Sequence, residues 1–463
     1  MKDSILFWND VAIEANRRDF SMQNTQQGGP TLSSRALAMV HLAMYDAYFG
    51  ITGTKTSYLP NLPVVPSGSC SAQDSVAAAA HTVLSSLYSL QKEFFDAKLK
   101  EVCTKDECSI AFGRKVGDLI LAARKNDPSA GSADYRPKAG CCKHRVDPDN
   151  PTQGFHAPFY GANSKLFAAT ERHTLDAPPM CESKEYVRAV HQVRSKGIAP
   201  ELMGTLPAGS DKRTPNETVI GVFWAYDGAN EIGTPPRFYN QIARQIAISR
   251  NQTEEENAEM FALVNTAMGD AGILAWEVKY RDEFWRPVVG IREHDKSICS
   301  GNCGNATDCL IEDCDPFWLP LAAPNSNTLK KNFTPPFPAY PSGHATFGAA
   351  ALHTIRLFLG TKAGDTNADN YLDGLCFVSD EMNGVSTDNK GTVRPKHLRK
   401  FPKGLWQMIV ENGLSRIYLG VHWSFDAFAL DNDDNPDLTK NIGGVPLGLK
   451  IAEDIFANSR IKK

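Results

Sequence analysis

No stretch of this chain is apolar for long enough to cross a bilayer. Nor does it carry an excess of positive charge: the formal net charge is -4, so no basic field draws it to nucleic acid or to an anionic membrane surface. Any cluster of Arg and Lys must therefore be local. Met1 to Trp8 lacks the long apolar core of a secretory signal, so no signal peptide is expected and the compartment is left open. The chain has no C-x-x-C pair, which weakens a zinc reading of its cysteines. It also has no run of alternating apolar and polar residues and no internal repeat. What is present is ordinary for a globular protein that stays in water: 463 residues, 42% hydrophobic and 22% charged, enough for a large core.

Cysteine is the unusual component. There are eleven, an odd count. Cys299, Cys303, Cys309 and Cys314 crowd one Gly/Asn/Asp-rich loop, Cys103 and Cys108 lie close, and Cys141 and Cys142 are adjacent. Disulfides tying surface loops are the favoured reading, and they point to an oxidising setting. Adjacent cysteines rarely bond each other, so one of Cys141 and Cys142 is expected to reach a neighbouring subunit of a homo-oligomer. The odd count forces a free thiol or an intermolecular bond in any case.

Helical periodicity dominates the rest. Apolar spacing predicts helices over Ile5–Asn16, Ser33–Tyr48, Ala77–Leu90, Phe94–Val102, Ile110–Ala123 and Glu185–Ser195. A Pro-, Gly-, Asp- and Cys-rich stretch from about Lys125 to Gly161 reads as a long irregular excursion. A second helical set begins near Val219. It continues through Pro235–Ser249, Glu254–Trp285, Ala345–Leu359, Gly404–Gly413 and His422–Leu430, with polar loops over 361–375 and 431–446. The expected fold is all-α: two packed helical bundles, one over 1–215 with the Cys-rich excursion and one over 216–463. The spacing Asp365-x-Asn367-x-Asp369-x-x-x-Asp373 imitates part of a calcium loop. It lacks the glycine at position six and the glutamate at position twelve, so a solvated acidic loop is favoured over calcium.

Three segments carry chemistry. The first, Tyr340-Pro341-Ser342-Gly343-His344, leaves a proline-rich approach and opens a helix. Proline cannot continue a helix from upstream, so the chain starts one afresh near Ser342, with unpaired N–H groups and the positive dipole end. Ser342 and Gly343 make a cradle for an anion, and His344 sits beside it as a group that titrates near neutrality. The second segment, Trp276 to Pro287, places Lys279 and Arg286 seven residues apart, two helical turns, on one expected face with Pro287 ending the helix. Taken alone, two solvated cations would explain it. In the third, Ser415 to Asp426, Gly420 suits a helix C-terminus, so Arg416 closes one helix and His422 opens the next. His422 and Asp426 are then i, i+4, the arrangement by which a carboxylate fixes a histidine tautomer. Together the segments supply three cations, neutral donors and two histidines, a set matched to a highly charged tetrahedral oxyanion.

The order Lys-x6-Arg-Pro, Pro-Ser-Gly-His and Ser-Arg-x5-His resembles the superfamily of vanadium-dependent haloperoxidases and type 2 phosphatidic acid phosphatases. Phe223 to Gly228, Gly233 to Gln241, Phe7-Trp8-Asn9, Phe155 to Gly161 and Gly443 to Gly448 are similar to the haloperoxidase branch and its fungal chloroperoxidase type. The resemblance implies two four-helix bundles with vanadate as prosthetic group. Lys279, Arg286, Ser342, the Gly343 amide and Arg416 would hold its oxygens, and His422 would bond the metal. His344 would handle protons with Asp227 supporting it, and Lys279 would polarise peroxide. Trp276 and Phe337 would line the halide pocket, and Asp426 and Ser424 would back His422. The implied reaction is oxidation of bromide, iodide or chloride by hydrogen peroxide to hypohalous acid, which halogenates small organic substrates. Position 337 is Phe as in the chloroperoxidase type, where algal bromoperoxidases carry His; position 424 is Ser where fungal relatives carry Arg. Two rivals stand beside this reading. One is an acid phosphatase with His422 as nucleophile and His344 protonating the leaving group. The other is a cysteine-stapled helical binding protein with a relict anion site, which predicts scattered or replaced motif residues, whereas all are present.

Overall fold

A computed structural model describes residues 3–65, 70–102, 106–129, 135–181, 183–293, 315–366, 372 and 374–461. Its helices run, in chain order, α1 Ser4–Asp19, α2 Gly29–Thr52, α3 Ala72–Leu87, α4 Lys92–Val102, α5 Glu107–Ala123, α6 Tyr160–Asn163, α7 Lys184–Lys196, α8 Pro215–Phe223, α9 Pro235–Ser249, α10 Glu254–Asp282, α11 Pro287–Glu293, α12 Gly343–Phe358, α13 Gly404–Tyr418, α14 Ser424–Ala427 and α15 Gly444–Asn458. Two short antiparallel ribbons correct the expectation of no sheet: β1 Leu375–Val378 with β2 Leu398–Phe401, and β3 Ala429–Leu430 with β4 Pro436–Asp437.

The helix starts follow from local chemistry. Thr214 with Glu217, and Thr253 with Glu256, form capping boxes that satisfy orphan N–H groups at the heads of α8 and α10. Proline fills the first helical turn of α2, α8 and α9, where its missing N–H costs nothing. α10 is the axis of the molecule. It is 29 residues long and buried nearly all round, with three glutamates in its first turn and Lys279 and Arg281 in its last, each complementing the dipole. One side of α10 packs on α2, which continues into α3 and α5; the other packs on α12, which lies against α13 and α15. A single apolar core runs through both sets.

Three boundaries differ from the expectation. α10 stops at Asp282, where Glu283 takes a left-handed conformation (φ 51°). Lys279 and Arg286 therefore do not share a helix face, and Pro287 begins α11 rather than ending α10. The expected helix His422–Leu430 shrinks to four residues, with His422 ahead of it in the connecting turn. α15 was not expected at all, because its Gly443-Gly444-Val445-Pro446 start resembles a loop. Those glycines have a steric purpose: a Cβ on Gly444 would lie 2.5 Å from the Ser342 carbonyl oxygen, and one on Gly448 2.5 Å from that of Thr346. Only glycine lets α15 lie this close to the first turn of α12.

Cys70 bonds Cys108 and Cys142 bonds Cys181, and Cys141 is disulfide-bonded as well. Both members of the adjacent pair are thus disulfide-bonded, and not to each other. Cys376 is a free thiol among the described residues. Cys103 and the four cysteines of the 299–314 loop lie outside the described residues, as do Asn367, Asp369 and Asp373 of the calcium-like spacing. Among the described residues no cluster of three His, Cys, Asp or Glu side chains is placed to hold a metal ion, and no helix is long and apolar enough to cross a membrane.

Candidate active site

The heads of α12 and α14 and the end of α13 meet over the C-terminal end of α10. The Ser342 N–H donates to the Asp426 carbonyl at 2.7 Å, joining α12 to α14. Here lies a cavity of about 210 Å³ with a charged end and an apolar end. Asp227, Gly343, His344, Arg416 and His422 form the first; Trp276, Phe333, Pro335, Pro336, Phe337 and Phe347 line the second, with Gly29, Pro30 and His156.

His422 is buried. Its Nδ1 is 2.8 Å from Asp426 Oδ2, and its Nε2 is 2.8 Å from Arg286 Nη1. A guanidinium can only donate, so Nε2 must be the lone-pair nitrogen and Nδ1 must carry the proton. Burial, reinforced by Arg286 and the other nearby cations, pushes the His422 pKa well below its usual value and keeps the ring neutral. This is the tautomer a ligand or nucleophile would need, with the Nε2 lone pair engaged by Arg286 in this structure. The i, i+4 contact survives without a helix, because Asp426 also accepts the Trp423 N–H at 3.0 Å in a capping turn. Burial lifts the Asp426 carboxyl to about 7.

His344 is placed by the first turn of α12, and its Nε2 donates to the Ala225 carbonyl at 2.5 Å. A carbonyl only accepts, so the basic nitrogen of His344 is Nδ1, on a ring that lines the cavity. Burial first, then the Arg416 charge, lowers its pKa to about 3, against a smaller upward pull from Asp227 3.9 Å away. Asp227 is bound more tightly elsewhere: its Oδ1 accepts from Arg416 Nη2 at 2.7 Å.

The cations are the least expected part. Arg286 donates to the carbonyls of Phe337 (2.9 Å) and Val421 (2.8 Å), and burial lowers its pKa to about 9. Lys279 is wholly buried and turned away from the cavity wall, its ammonium donating to the carbonyls of Pro338, Ala339 and Pro341 at 2.5–3.0 Å. Burial and the neighbouring Arg286 depress its pKa strongly. It still stands 5.0 Å from the centroid of the Phe337 ring, so its charge is felt at the apolar end. Ser342 caps its own helix, its hydroxyl oxygen accepting the Ala345 N–H at 3.4 Å. A Cβ on Gly343 would press to 3.3 Å from the Trp276 ring. Trp276 and Phe337 meet at 4.7 Å between centroids. Ser424 is buried at the start of α14, where its carbonyl accepts from Phe428, and it does not line the cavity.

Around this cavity Arg286 Nη2 and Arg416 Nε and Nη1 are buried with no acceptor, and so are Asp227 Oδ2 and Asp426 Oδ1 with no donor. A buried polar group left unpaired costs roughly 1–3 kcal/mol, more when charged. Three orphan guanidinium donors beside a neutral imidazole call for an anionic occupant with several acceptor oxygens. Sequence reasoning found these residues but not the full wall: Gly29, Pro30 and His156 are brought in from the N-terminal half. The one signal for them was the Phe155 to Gly161 motif, where His156 had no assigned role.

Buried, unpaired guanidinium donors around a neutral histidine suit a haloperoxidase and a phosphatase alike. Comparison with known proteins decides the class. Residues 1–154 match the vanadium chloroperoxidase N-terminal domain, and 259–432 match the second helical-bundle domain of the same family. The chain is 35% identical to the vanadium chloroperoxidase of Curvularia inaequalis, over 98% of this chain and 89% of that one. In fold it is similar to a bacterial vanadium-dependent iodoperoxidase (TM-score 0.66, 19% identity, 96% and 94% of the two chains). A bacterial vanadium-dependent chloroperoxidase is as similar (TM-score 0.66, 15% identity, 96% of each chain). The chain belongs to the vanadium chloroperoxidase family, and is an enzyme of the vanadium-dependent haloperoxidase class.

Proposed function

We propose that the chain holds one vanadate through His422 Nε2 and uses hydrogen peroxide to oxidise bromide and iodide, and chloride as the most demanding case, to hypohalous acid that halogenates small organic molecules. The carrying observation is the set of unpaired guanidinium donors on Arg286 and Arg416 around the His422 lone pair. When bound, vanadate supplies the Lewis-acidic centre that activates peroxide toward halide. The protein's part is electrostatic and protonic. Arg286 and Arg416 hold oxygens, with the Gly343 amide at the positive end of α12 and the Ser342 hydroxyl beside it. Asp426 keeps the proton on His422 Nδ1, and His344 Nδ1 accepts and returns the proton of incoming peroxide, with Asp227 and Arg416 setting the charge around it. Lys279, fixed behind Phe337, keeps positive potential on the reacting side, a preorganised field that needs no rearrangement. Trp276, Phe333 and Phe337 exclude water from the apolar end.

The same donors fit phosphate, so a phosphatase reading would use His422 Nε2 as nucleophile and His344 as proton donor; the family match favours halide oxidation. The test is vanadium content after dialysis together with a bromide-dependent dye bromination assay, on wild type and His422→Ala. Stoichiometric vanadium and bromination in the wild type, both lost in the variant, are expected. A variant that keeps its vanadium refutes His422 as the ligand.

A further inference from the structure

His156 belongs to no motif of the oxyanion cradle, yet it is among the most firmly placed side chains of the cavity. Its backbone N–H donates to the Pro336 carbonyl at 2.8 Å. Its own carbonyl accepts from the Tyr280 hydroxyl at 2.6 Å and from the Trp276 indole at 3.3 Å. The residue is thus tied to both aromatic walls. Its ring stands edge-on to Trp276, 5.9 Å between centroids, and 6.1 Å from Phe337. Room for it is made by Gly29, which has φ +72° and where a Cβ would fall 2.3 Å from His156 Cε1.

The ring has a definite proton arrangement. Nε2 is 2.9 Å from the Thr31 hydroxyl, which is fully buried and has no other acceptor among the described residues. If Nε2 carried the proton, the Thr31 hydroxyl proton would be left unpaired in the interior, at a cost of about 1–3 kcal/mol. Thr31 therefore donates to Nε2, and the neutral ring carries its proton on Nδ1. Burial holds the pKa of the ring near 4, so it stays neutral at working pH. Nδ1 has no protein acceptor among the described residues, and the ring is partly exposed in the wall of the cavity.

We infer that His156 Nδ1–H is a halide-binding donor, holding the anion against Trp276 and Phe337 and setting specificity among halides. A partly dehydrated halide needs what this corner offers: one N–H donor, aromatic edges, and positive potential from Lys279 and Arg286, each 5.0 Å from the Phe337 ring centre. The inference rests on the haloperoxidase reading. It adds a polar residue to a pocket end otherwise lined by aromatic rings, prolines and Gly29.

The test uses vanadium-loaded enzyme with His156→Phe, His156→Gln and Thr31→Val. His156→Phe should raise KM for bromide about tenfold, the equivalent of 1.4 kcal/mol. Its vanadium content, its KM for peroxide and its KM for the organic acceptor should stay within twofold of wild type. His156→Gln, which restores an N–H donor, should recover part of the loss, and Thr31→Val, which frees the tautomer, should fall between. Bromide-soaked crystals should show an anomalous peak at hydrogen-bond distance from Nδ1 in wild type and none there in His156→Phe. Unchanged bromide KM in a working His156→Phe enzyme overturns the inference alone. Loss of vanadium or of peroxide affinity in step with bromide affinity also overturns it, by making His156 structural. A wild type that binds no vanadium refutes the underlying assignment and this inference with it.

Discussion

Arg416 has two jobs that pull apart on mutation. One nitrogen pairs with Asp227 at 2.7 Å, and the other two are buried without acceptors. Arg416→Met keeps most of the side-chain volume while removing the charge and all the donors. For the anion, two charge-assisted hydrogen bonds are lost, each worth about 1.5–3 kcal/mol, so vanadate affinity should fall by about 10²–10⁴. For the anion-free fold, the loss strands Asp227 as a buried carboxylate, a cost of about 3–5 kcal/mol. Relief of repulsion with Arg286 and Lys279 offsets part of this, but the contact with Asp227 is the closer and decides the sign. The double variant Asp227→Asn/Arg416→Met should therefore recover stability without recovering vanadate. Thermal unfolding with and without vanadate reads both quantities. At one hundred times its dissociation constant a ligand stabilises by about 2.7 kcal/mol, an increment wild type should show and both variants should lack. If Arg416→Met unfolds like wild type, or still gains that increment, the assignment of its free nitrogens to the oxyanion is wrong.

Phosphate at millimolar concentration should slow or weaken vanadate reconstitution of the apoprotein, because both anions meet the same Arg286 and Arg416 donors; indifference to phosphate would sink the shared-pocket argument. His344→Ala should retain vanadate but lose about 10²–10⁴ in turnover, since its ring supplies a proton site rather than charge; an equal loss of affinity and rate, measured by vanadium content beside bromination, would recast it as a binding residue. Asp46 is buried, and desolvation raises its pKa from 3.8 to about 7 despite two backbone N–H donors. The folded state then holds the proton more tightly than the unfolded one. The stability linked to Asp46 is fully present below pH 3.8 and is lost as pH rises through about 7. The thermal midpoint should fall across that upper range, less steeply in Asp46→Asn, and equal slopes in the two proteins would refute the linkage.

The helical class, and the three segments that build the cradle, could be read from sequence because caps, prolines and apolar periodicity act over a few residues. Pro341-Ser342 announces the head of α12 in this way, and Thr253 with Glu256 that of α10. What sequence reasoning could not supply depends on tertiary contact. Without an anion the Lys279 ammonium donates to the carbonyls of Pro338, Ala339 and Pro341, contacts that local spacing cannot foresee. Arg286 was expected on the same helix face, but Glu283 turns the chain first and the guanidinium reaches His422 from outside the helix. His156 was visible only as part of a motif, because its meaning comes from Gly29 and Thr31, more than a hundred residues earlier in the chain. α15 was missed because the glycines that let it dock are the residues that argue against a helix when read locally.

The seat of α15 on α12 bears on the site. Ser342 and Thr346, whose carbonyls face Gly444 and Gly448, belong to the turn that presents the Gly343 amide and His344. Residues 444–458 therefore back the turn that carries the Gly343 amide and His344, and a chain ending before them would leave that turn without its support.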